Sequence, residues 1–194
     1  MDVAAWRRET RARLIDERLR IPPDDHERAS LAIEGFLAEV LDPLPPQTLS
    51  AYLPYKGEVD LRRVLDRLKE KGWITALPAV VRRGLPLEFL RWTRETEMET
   101  GVFGIPIPRV HDIVFPSCII LPLVAFDAQN FRLGYGAGYF DITLASLEPR
   151  PRTIGIGFEL CRLDTIHPLP TDIPLDLIIT ENGIQKSGDG HRIV

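Results

Sequence analysis

The chain has 194 residues, of which 44% are hydrophobic, and carries a formal net charge of -4. A chain of this length buries roughly 70% of its unfolded surface, so we expect one domain over residues 1–194, with a loose tail from about residue 183. The acidic balance argues against binding to nucleic acid or to an anionic membrane. The two cysteines lack zinc or disulfide spacing, and no apolar run approaches the roughly 20 residues of a membrane span, so a cytoplasmic protein is expected.

Helix-forming residues from Val3 to about Leu19 predict a first helix with one apolar side. Arg7, Arg11 and Arg18 lie along the border of that side when the sequence is placed on a helix at 100° per residue. Because charged faces are common on exposed helices, a solvated basic face is the plain alternative to a binding role for these arginines.

The rest of the chain alternates strands and helices. A second helix follows Pro22 and Pro23, with Asp24 or Asp25 as its expected N-cap. Strand candidates are residues 48–53, 73–77, 87–92, 117–121, 153–158 and 175–180, and the other helices cover residues 60–72 and 139–147. Residues 101–108 are expected to form a loop over the sheet. This alternation predicts an α/β fold, an open and mostly parallel sheet with helices on both faces.

The most informative segment is Arg132 to Asp141, with the sequence Arg-Leu-Gly-Tyr-Gly-Ala-Gly-Tyr-Phe-Asp. Its glycines at alternate positions permit positive φ angles, so that successive amide N–H groups converge on an anion. An arginine before them adds a permanently charged fork, and the closing aspartate offers a hard oxygen for Mg²⁺. The segment therefore predicts a polyphosphate site after a strand and before a helix.

Alternate glycines also form tight loops that bind nothing, and this alternative stays open on spacing alone. The segment is not a Walker A loop, because no Gly-Lys-Ser/Thr follows, and it is not the G-x-G-x-x-G of dinucleotide-binding proteins. Glu159 lies at a distance that fits a dinucleotide site, but it carries little weight without that glycine spacing.

The segment resembles the R-L-G-x-G-x-G-Y-Y-D hallmark of the 5-formyltetrahydrofolate cyclo-ligases, with Phe140 in place of the second tyrosine. The resemblance extends in order and spacing from Arg7 to about Glu181. Other matching segments are residues 52–60, 104–106, 124–127, 152–155 and 172–181. It implies a fold like that of sugar-phosphate isomerases and CoA-transferases. It also implies an ATP- and Mg²⁺-dependent conversion of 5-formyltetrahydrofolate to 5,10-methenyltetrahydrofolate, with release of ADP and phosphate.

Roles for single residues follow from the resemblance. It implies catalytic roles for Arg132 and Tyr139 and metal-binding roles for Asp141 and Asp172. The implied ATP-binding residues are Arg7, Arg11, Arg132, Leu133, Gly134, Tyr135, Gly136, Ala137, Gly138, Tyr139 and Phe140. The implied substrate-binding residues are Leu53, Glu58, Tyr135, Gly136, Gly138 and Tyr139. The partners are ATP and a reduced folate, with no nucleic acid or membrane, and we expect a monomer or a weak dimer.

Each role has a structural alternative from the residues alone. Asp141 suits the cap of the helix that it begins, Asp172 a turn before Pro174, and Glu58 an exposed turn acid. The chain also departs from the family at Phe140 and at Ile107, where many bacterial members have glutamate. A paralogue that keeps the ATP site but acts on or binds another small molecule is therefore the second hypothesis.

Overall fold

The computed structural model describes residues 1–188. The helices are α1 Val3–Leu19, α2 Pro23–Leu41, α3 Arg62–Glu70 and α4 Tyr139–Ser146. The strands are β1 Thr48–Ser50, β2 Ile74–Ala79, β3 Glu88–Arg91, β4 Met98–Thr100, β5 Pro106–Pro108, β6 Cys118–Pro122, β7 Ala125–Phe126, β8 Arg132–Leu133, β9 Arg152–Ile156, β10 Leu177–Thr180 and β11 Gly183–Lys186. The predicted α/β class is confirmed.

Seven of the strands in the described part of the chain form one sheet, in the order β11-β10-β9-β6-β1-β2-β3. The five central strands run parallel, and the two edge strands, β3 and β11, run antiparallel to their neighbours. The central strands are short apolar runs because parallel strands are covered on both faces.

Both faces of the sheet are covered by helices. On one face, Ile120 and Ile154 pack into the same buried cluster as Leu37 of α2 and Leu65 of α3. The neighbouring residues of the strands point to the other face, where Ile119 and Leu121 share a second cluster with Leu144 of α4. This alternation is the period-two pattern of a strand, and it fixes the register of each helix against the sheet.

The order of the strands creates a switch point between β1 and β6. From β1 the chain passes through α3 to β2 on one side, whereas β6 lies on the other side and leads outward to β9 and β10. Connections that leave in opposite directions open a crevice beyond the carboxyl ends of the two strands, where ligands of open α/β sheets bind. The segments at this position are Ala51–Asp60 after β1 and Leu123–Gly138 after β6.

Helix α1 lies against these carboxyl-end segments. Leu14 is buried in a third cluster with Val124, Ala125, Leu133 and Ile166. Val124 and Ala125 directly follow β6, and Leu133 leads into the glycines. The apolar side of α1 therefore anchors the helix at the switch point, and the arginines along its border face the same region.

Three local predictions are wrong. Residues 98–108 form an antiparallel hairpin of β4 and β5 with a short 3₁₀ turn, where a loop was expected. Asp24 and Asp25 lie in the first turn of α2, whose N-cap is Pro22. Pro23 occupies the first helical position, where its fixed φ suits the helix and its missing N–H costs nothing, so the helix begins one residue before the aspartates, which act on the helix dipole instead.

The third wrong prediction is the start of the loose tail. Gly183–Lys186 forms edge strand β11, whose residues pair antiparallel with β10. The polar sequence Gly-Ile-Gln-Lys shows no strand period, and pairing with an apolar neighbour provides the order. Of the remaining tail, residues 189–194 lie outside the described residues.

Candidate active site at the sheet switch point

The glycine loop, residues 134–138, connects β8 to α4. Gly136 has a φ of 103°, and Gly138, the N-cap of α4, has a φ of 69° in the left-handed region. Both angles favour glycine, so the backbone path requires glycine at positions 136 and 138. From Tyr135 to Gly138 the loop is exposed, and its amide N–H groups donate to no other described residue. The loop thus presents free amide donors at the start of a helix, the arrangement that binds phosphate.

Arg11 of α1 lies directly on the glycine loop. Its Nε donates a 2.7 Å hydrogen bond to the carbonyl oxygen of Gly134. The guanidinium also lies beside Gly136, where a Cβ would be in ordinary van der Waals contact with it at 3.4 Å. Burial and the nearby charge of Arg7 lower the pKa of Arg11, and the carboxylate of Asp172 opposes that shift. The hydrogen bond to Gly134 thus holds the guanidinium next to the glycine loop.

Arg7 lies one helical turn before Arg11 and forms a forked ion pair with Asp172. Its two terminal nitrogens donate to the two carboxylate oxygens at 2.7 and 3.2 Å. The side chains of Arg7 and Asp172 are only 8% and 11% exposed, and Asp172 also accepts a hydrogen bond from the backbone of Leu169. A solvated basic face is therefore excluded for Arg7, and the pair joins α1 to the segment before β10.

Arg132 and Asp141 close the site on the other side. Arg132 Nη2 lies 3.1 Å from Asp141 Oδ1, and its Nη1 donates to the carbonyl oxygen of Ile173. The same Oδ1 accepts a hydrogen bond from the backbone N–H of Ile173. Burial lowers the pKa of Arg132, and the charge of Asp141 opposes this. Asp141 does not cap α4, whose cap is Gly138, so the capping alternative is wrong.

The acids of the site offer few free oxygens to a metal ion. Among the described residues, no cluster of three or more His, Cys, Asp or Glu side chains could enclose an ion. Mg²⁺ at phosphate sites uses one or two carboxylates together with phosphate oxygens and water, so a full protein cage is not required. Asp141 Oδ2 has no hydrogen-bond partner in the described part of the chain. The donor set therefore fits a magnesium ion that is held mainly by its nucleotide.

A buried polar network connects the glycine loop to the segment after β1. Tyr135 donates from its hydroxyl to Glu58 Oε1 at 2.5 Å, and Arg18 Nη2 donates to the same hydroxyl at 2.7 Å. Glu58 Oε2 accepts from the backbone N–H of Tyr55. Burial raises the pKa of the Glu58 carboxyl, while the hydrogen bond from Tyr135 and the charge of Arg18 act in the other direction. The exposed-acid alternative for Glu58 is excluded.

A model of the 5-formyltetrahydrofolate cyclo-ligase family matches residues 3–181, which contain every residue of this site. The chain belongs to this family. It is 28% identical over 172 residues to the 5-formyltetrahydrofolate cyclo-ligase of Mycoplasma pneumoniae, covering 88% of this chain and 96% of that one. It is 29% identical over 180 residues to the 5-formyltetrahydrofolate cyclo-ligase of Mycolicibacterium smegmatis, covering 88% and 91%.

Solved structures agree with this assignment to the cyclo-ligase family. The NMR structure of Aquifex aeolicus 5,10-methenyltetrahydrofolate synthetase superposes with a TM-score of 0.81 at 25% identity, covering 97% of this chain and 96% of that one. The synthetase structure from Mycoplasma pneumoniae gives 0.75 at 25% identity, with 93% and 99% covered. The chain is thus an enzyme of the ligase class. None of the helices in residues 1–188 has the length and apolarity needed to cross a bilayer.

The structure brings most of the predicted cyclo-ligase residues to one place. Leu133 is buried beneath the loop, Ala137 is exposed on it, and Tyr139 and Phe140 begin α4. Phe140 packs against the second core cluster. Leu53 is half-buried against the main core, in the same segment as Glu58.

Arg18 is a member of the site that sequence reasoning did not assign to it. The side chain is 2% exposed, and besides Tyr135 it donates to the carbonyl oxygens of Lys56 and Leu123. It therefore ties α1 to both segments that follow β1 and β6. The spacing of Arg7, Arg11 and Arg18, four and then seven residues apart on one helical face, was the available signal.

Proposed function

We propose that the enzyme catalyses the ATP- and Mg²⁺-dependent cyclisation of 5-formyltetrahydrofolate to 5,10-methenyltetrahydrofolate, with release of ADP and phosphate. The observation that carries this proposal is the hydrogen bond of Arg11 to the glycine loop at the sheet switch point, with Arg7 and Arg132 held by the neighbouring carboxylates of Asp172 and Asp141. The loop amides and the guanidinium group of Arg11, which is bonded only to a neutral carbonyl oxygen, suit the negative charge of a triphosphate. The identity of the folate substrate is inferred from the names of the family and of its relatives.

The proposed chemistry needs no covalent bond to the protein. The formyl oxygen attacks the γ-phosphorus of ATP, and the bond from that phosphorus to the ADP oxygen breaks. The neighbouring folate nitrogen then attacks the activated formyl carbon and loses its proton. Phosphate leaves with the former formyl oxygen, and the methenyl bridge remains.

The protein contributes alignment and charge neutralisation. Arg11 is bonded to the first residue of the glycine loop, and Arg132 lies two residues before the loop and pairs with Asp141 in the helix that follows it. Fixed positive groups around a transferring phosphoryl group stabilise the transition state, because they need no reorganisation during the reaction. Tyr139 lies at the junction of the loop and α4 and is assigned to orient the reacting groups.

Glu58 is assigned to the folate ring system. A buried carboxylate is a suitable acceptor for the ring N–H and amino groups of the pterin, and Leu53 in the same segment offers an apolar wall. Asp141, through its Oδ2, would hold the magnesium ion that neutralises part of the phosphate charge when the nucleotide is bound. Asp172, the second proposed ligand, accepts hydrogen bonds from Arg7 on both oxygens and would have to exchange Arg7 for the ion.

A turnover assay tests this function. Purified enzyme is mixed with 5-formyltetrahydrofolate and Mg²⁺, with and without ATP, and the strongly absorbing methenyl product is followed by ultraviolet spectroscopy. We expect absorbance to rise only with ATP, with one ADP formed for each product molecule. No absorbance change in the complete mixture would refute the proposal.

A paralogue with another small-molecule substrate is the second candidate, supported by Ile107 and Phe140. Both positions are apolar packing sites here. Ile107 lies in a small cluster with Ala79 and Leu90, and Phe140 packs against the second core cluster. Folate-independent release of ADP, stimulated by a different acceptor in a metabolite screen, would favour this candidate over the cyclo-ligase.

A further inference from the structure

Glu58 is almost inaccessible to solvent. It is 7% exposed, and both of its carboxylate oxygens already accept hydrogen bonds, one from Tyr135 and one from the backbone of Tyr55. The rings of Tyr55 and Tyr135 lie 5.6 Å apart, and they are 56% and 40% exposed. A ligand that donates hydrogen bonds to Glu58 must therefore displace a group that already occupies the carboxylate.

Tyr135 is the group that can move. The hydrogen bond from Tyr55 uses the backbone of the turn that holds Glu58, whereas Tyr135 reaches Glu58 from a different segment of the chain, through its side chain alone. Tyr135 lies between Gly134 and Gly136, and Gly136 has a positive φ. Arg18, in contrast, is held by hydrogen bonds to two backbone carbonyl groups. Its bond to the Tyr135 hydroxyl keeps that hydroxyl beside Glu58.

We propose that the Tyr135 hydroxyl competes with the folate ring for Glu58, and that its release couples folate binding to the nucleotide site. This inference rests on the proposed function. Because Tyr135 is part of the glycine loop, a loop that closes on phosphate groups draws the tyrosine away from Glu58 and opens the carboxylate. ATP and folate then bind with positive cooperativity, and each ligand increases the affinity for the other by the same factor.

The test removes the hydroxyl and keeps the ring. Calorimetric titrations measure the dissociation constant of 5-formyltetrahydrofolate for the wild type and for Tyr135→Phe, with and without a non-hydrolysable ATP analogue and Mg²⁺. Losing a hydrogen bond to a charged acceptor should improve folate affinity in the variant by about tenfold in the absence of the analogue. The analogue should improve folate affinity in the wild type and leave it essentially unchanged in the variant.

Tyr55→Phe is the matched control, since it removes a hydroxyl from the neighbouring ring while the backbone bond to Glu58 stays. It should behave as the wild type does. Equal or weaker folate binding by Tyr135→Phe, with a melting curve like that of the wild type, would overturn the competition. If the wild type binds the ATP analogue but no reduced folate, the proposed function fails as well, which separates the two failures.

Discussion

Arg11 Nε donates a 2.7 Å hydrogen bond to the carbonyl oxygen of Gly134, although the two residues are 123 positions apart in the chain. This bond places a cation of the first helix against the glycine loop, beside Gly136. The proposed nucleotide site therefore takes residues from both ends of the sequence.

Replacing Arg11 with lysine should weaken ATP binding more than it slows chemistry. Lysine keeps the charge but loses the planar fork that bonds Gly134 and still presents donors to a phosphate. We expect the KM for ATP to rise about tenfold, from the loss of one charge-assisted bond, with a smaller change in kcat. Arg13→Lys, an exposed position on the same helix, is the control and should leave both constants unchanged.

Arg132→Ala should lower kcat/KM for ATP. The variant removes one preorganised charge donor, whose loss costs about 2–4 kcal/mol of transition-state stabilisation. The variant also leaves Asp141 without its cation, so thermal melting should be measured beside the steady-state kinetics. An unchanged rate in the folded variant would contradict the role assigned to Arg132.

Asp141→Asn should raise the magnesium concentration needed for half-maximal turnover while preserving the fold. The amide oxygen of asparagine can still accept the hydrogen bond from Ile173, so the link to the neighbouring segment is kept. A magnesium titration of the turnover rate, together with circular dichroism, checks this. A variant that is unfolded, or folded with an unaltered magnesium requirement, would show that the carboxylate serves the structure instead.

Glu58 should make the stability of the protein depend on pH. Burial raises its pKa above the ordinary value of 4.5, so the folded chain binds this proton more tightly than the unfolded chain does. The contribution of this residue to stability is therefore complete at low pH and decreases as the pH rises above about 4.5. Urea unfolding at several pH values should show a decrease that is absent in Glu58→Gln. Identical pH profiles for the two proteins would contradict the inferred cost of ionising this group.

The central strands and the glycine loop could be predicted from sequence because their signals are local. Strands that are buried on both faces are short apolar runs, and alternate glycines mark positive φ angles. The β4–β5 hairpin carries prolines and charged residues, and strand β11 is polar, so neither shows a strand period. Both are ordered by pairing with a neighbour, which the pattern of one segment does not reveal.

The contacts within the site could not be predicted in the same way. The pairing of Arg7 with Asp172 joins residues 165 positions apart, and the Tyr135–Glu58 bond spans 77 positions. Spacing on α1 indicated that its arginines share a face, but only the strand order shows that this face lies at the switch point. The resemblance to the family supplied the roles of single residues.

The most direct test of the account is a crystal structure with a non-hydrolysable ATP analogue and Mg²⁺. We expect phosphate oxygens within hydrogen-bond distance of the amide groups of the glycine loop, with Arg11 and Arg132 contacting the same phosphates and Asp141 near the metal. A triphosphate bound elsewhere, with the loop amides facing solvent, would contradict the assignment of this loop as the nucleotide site.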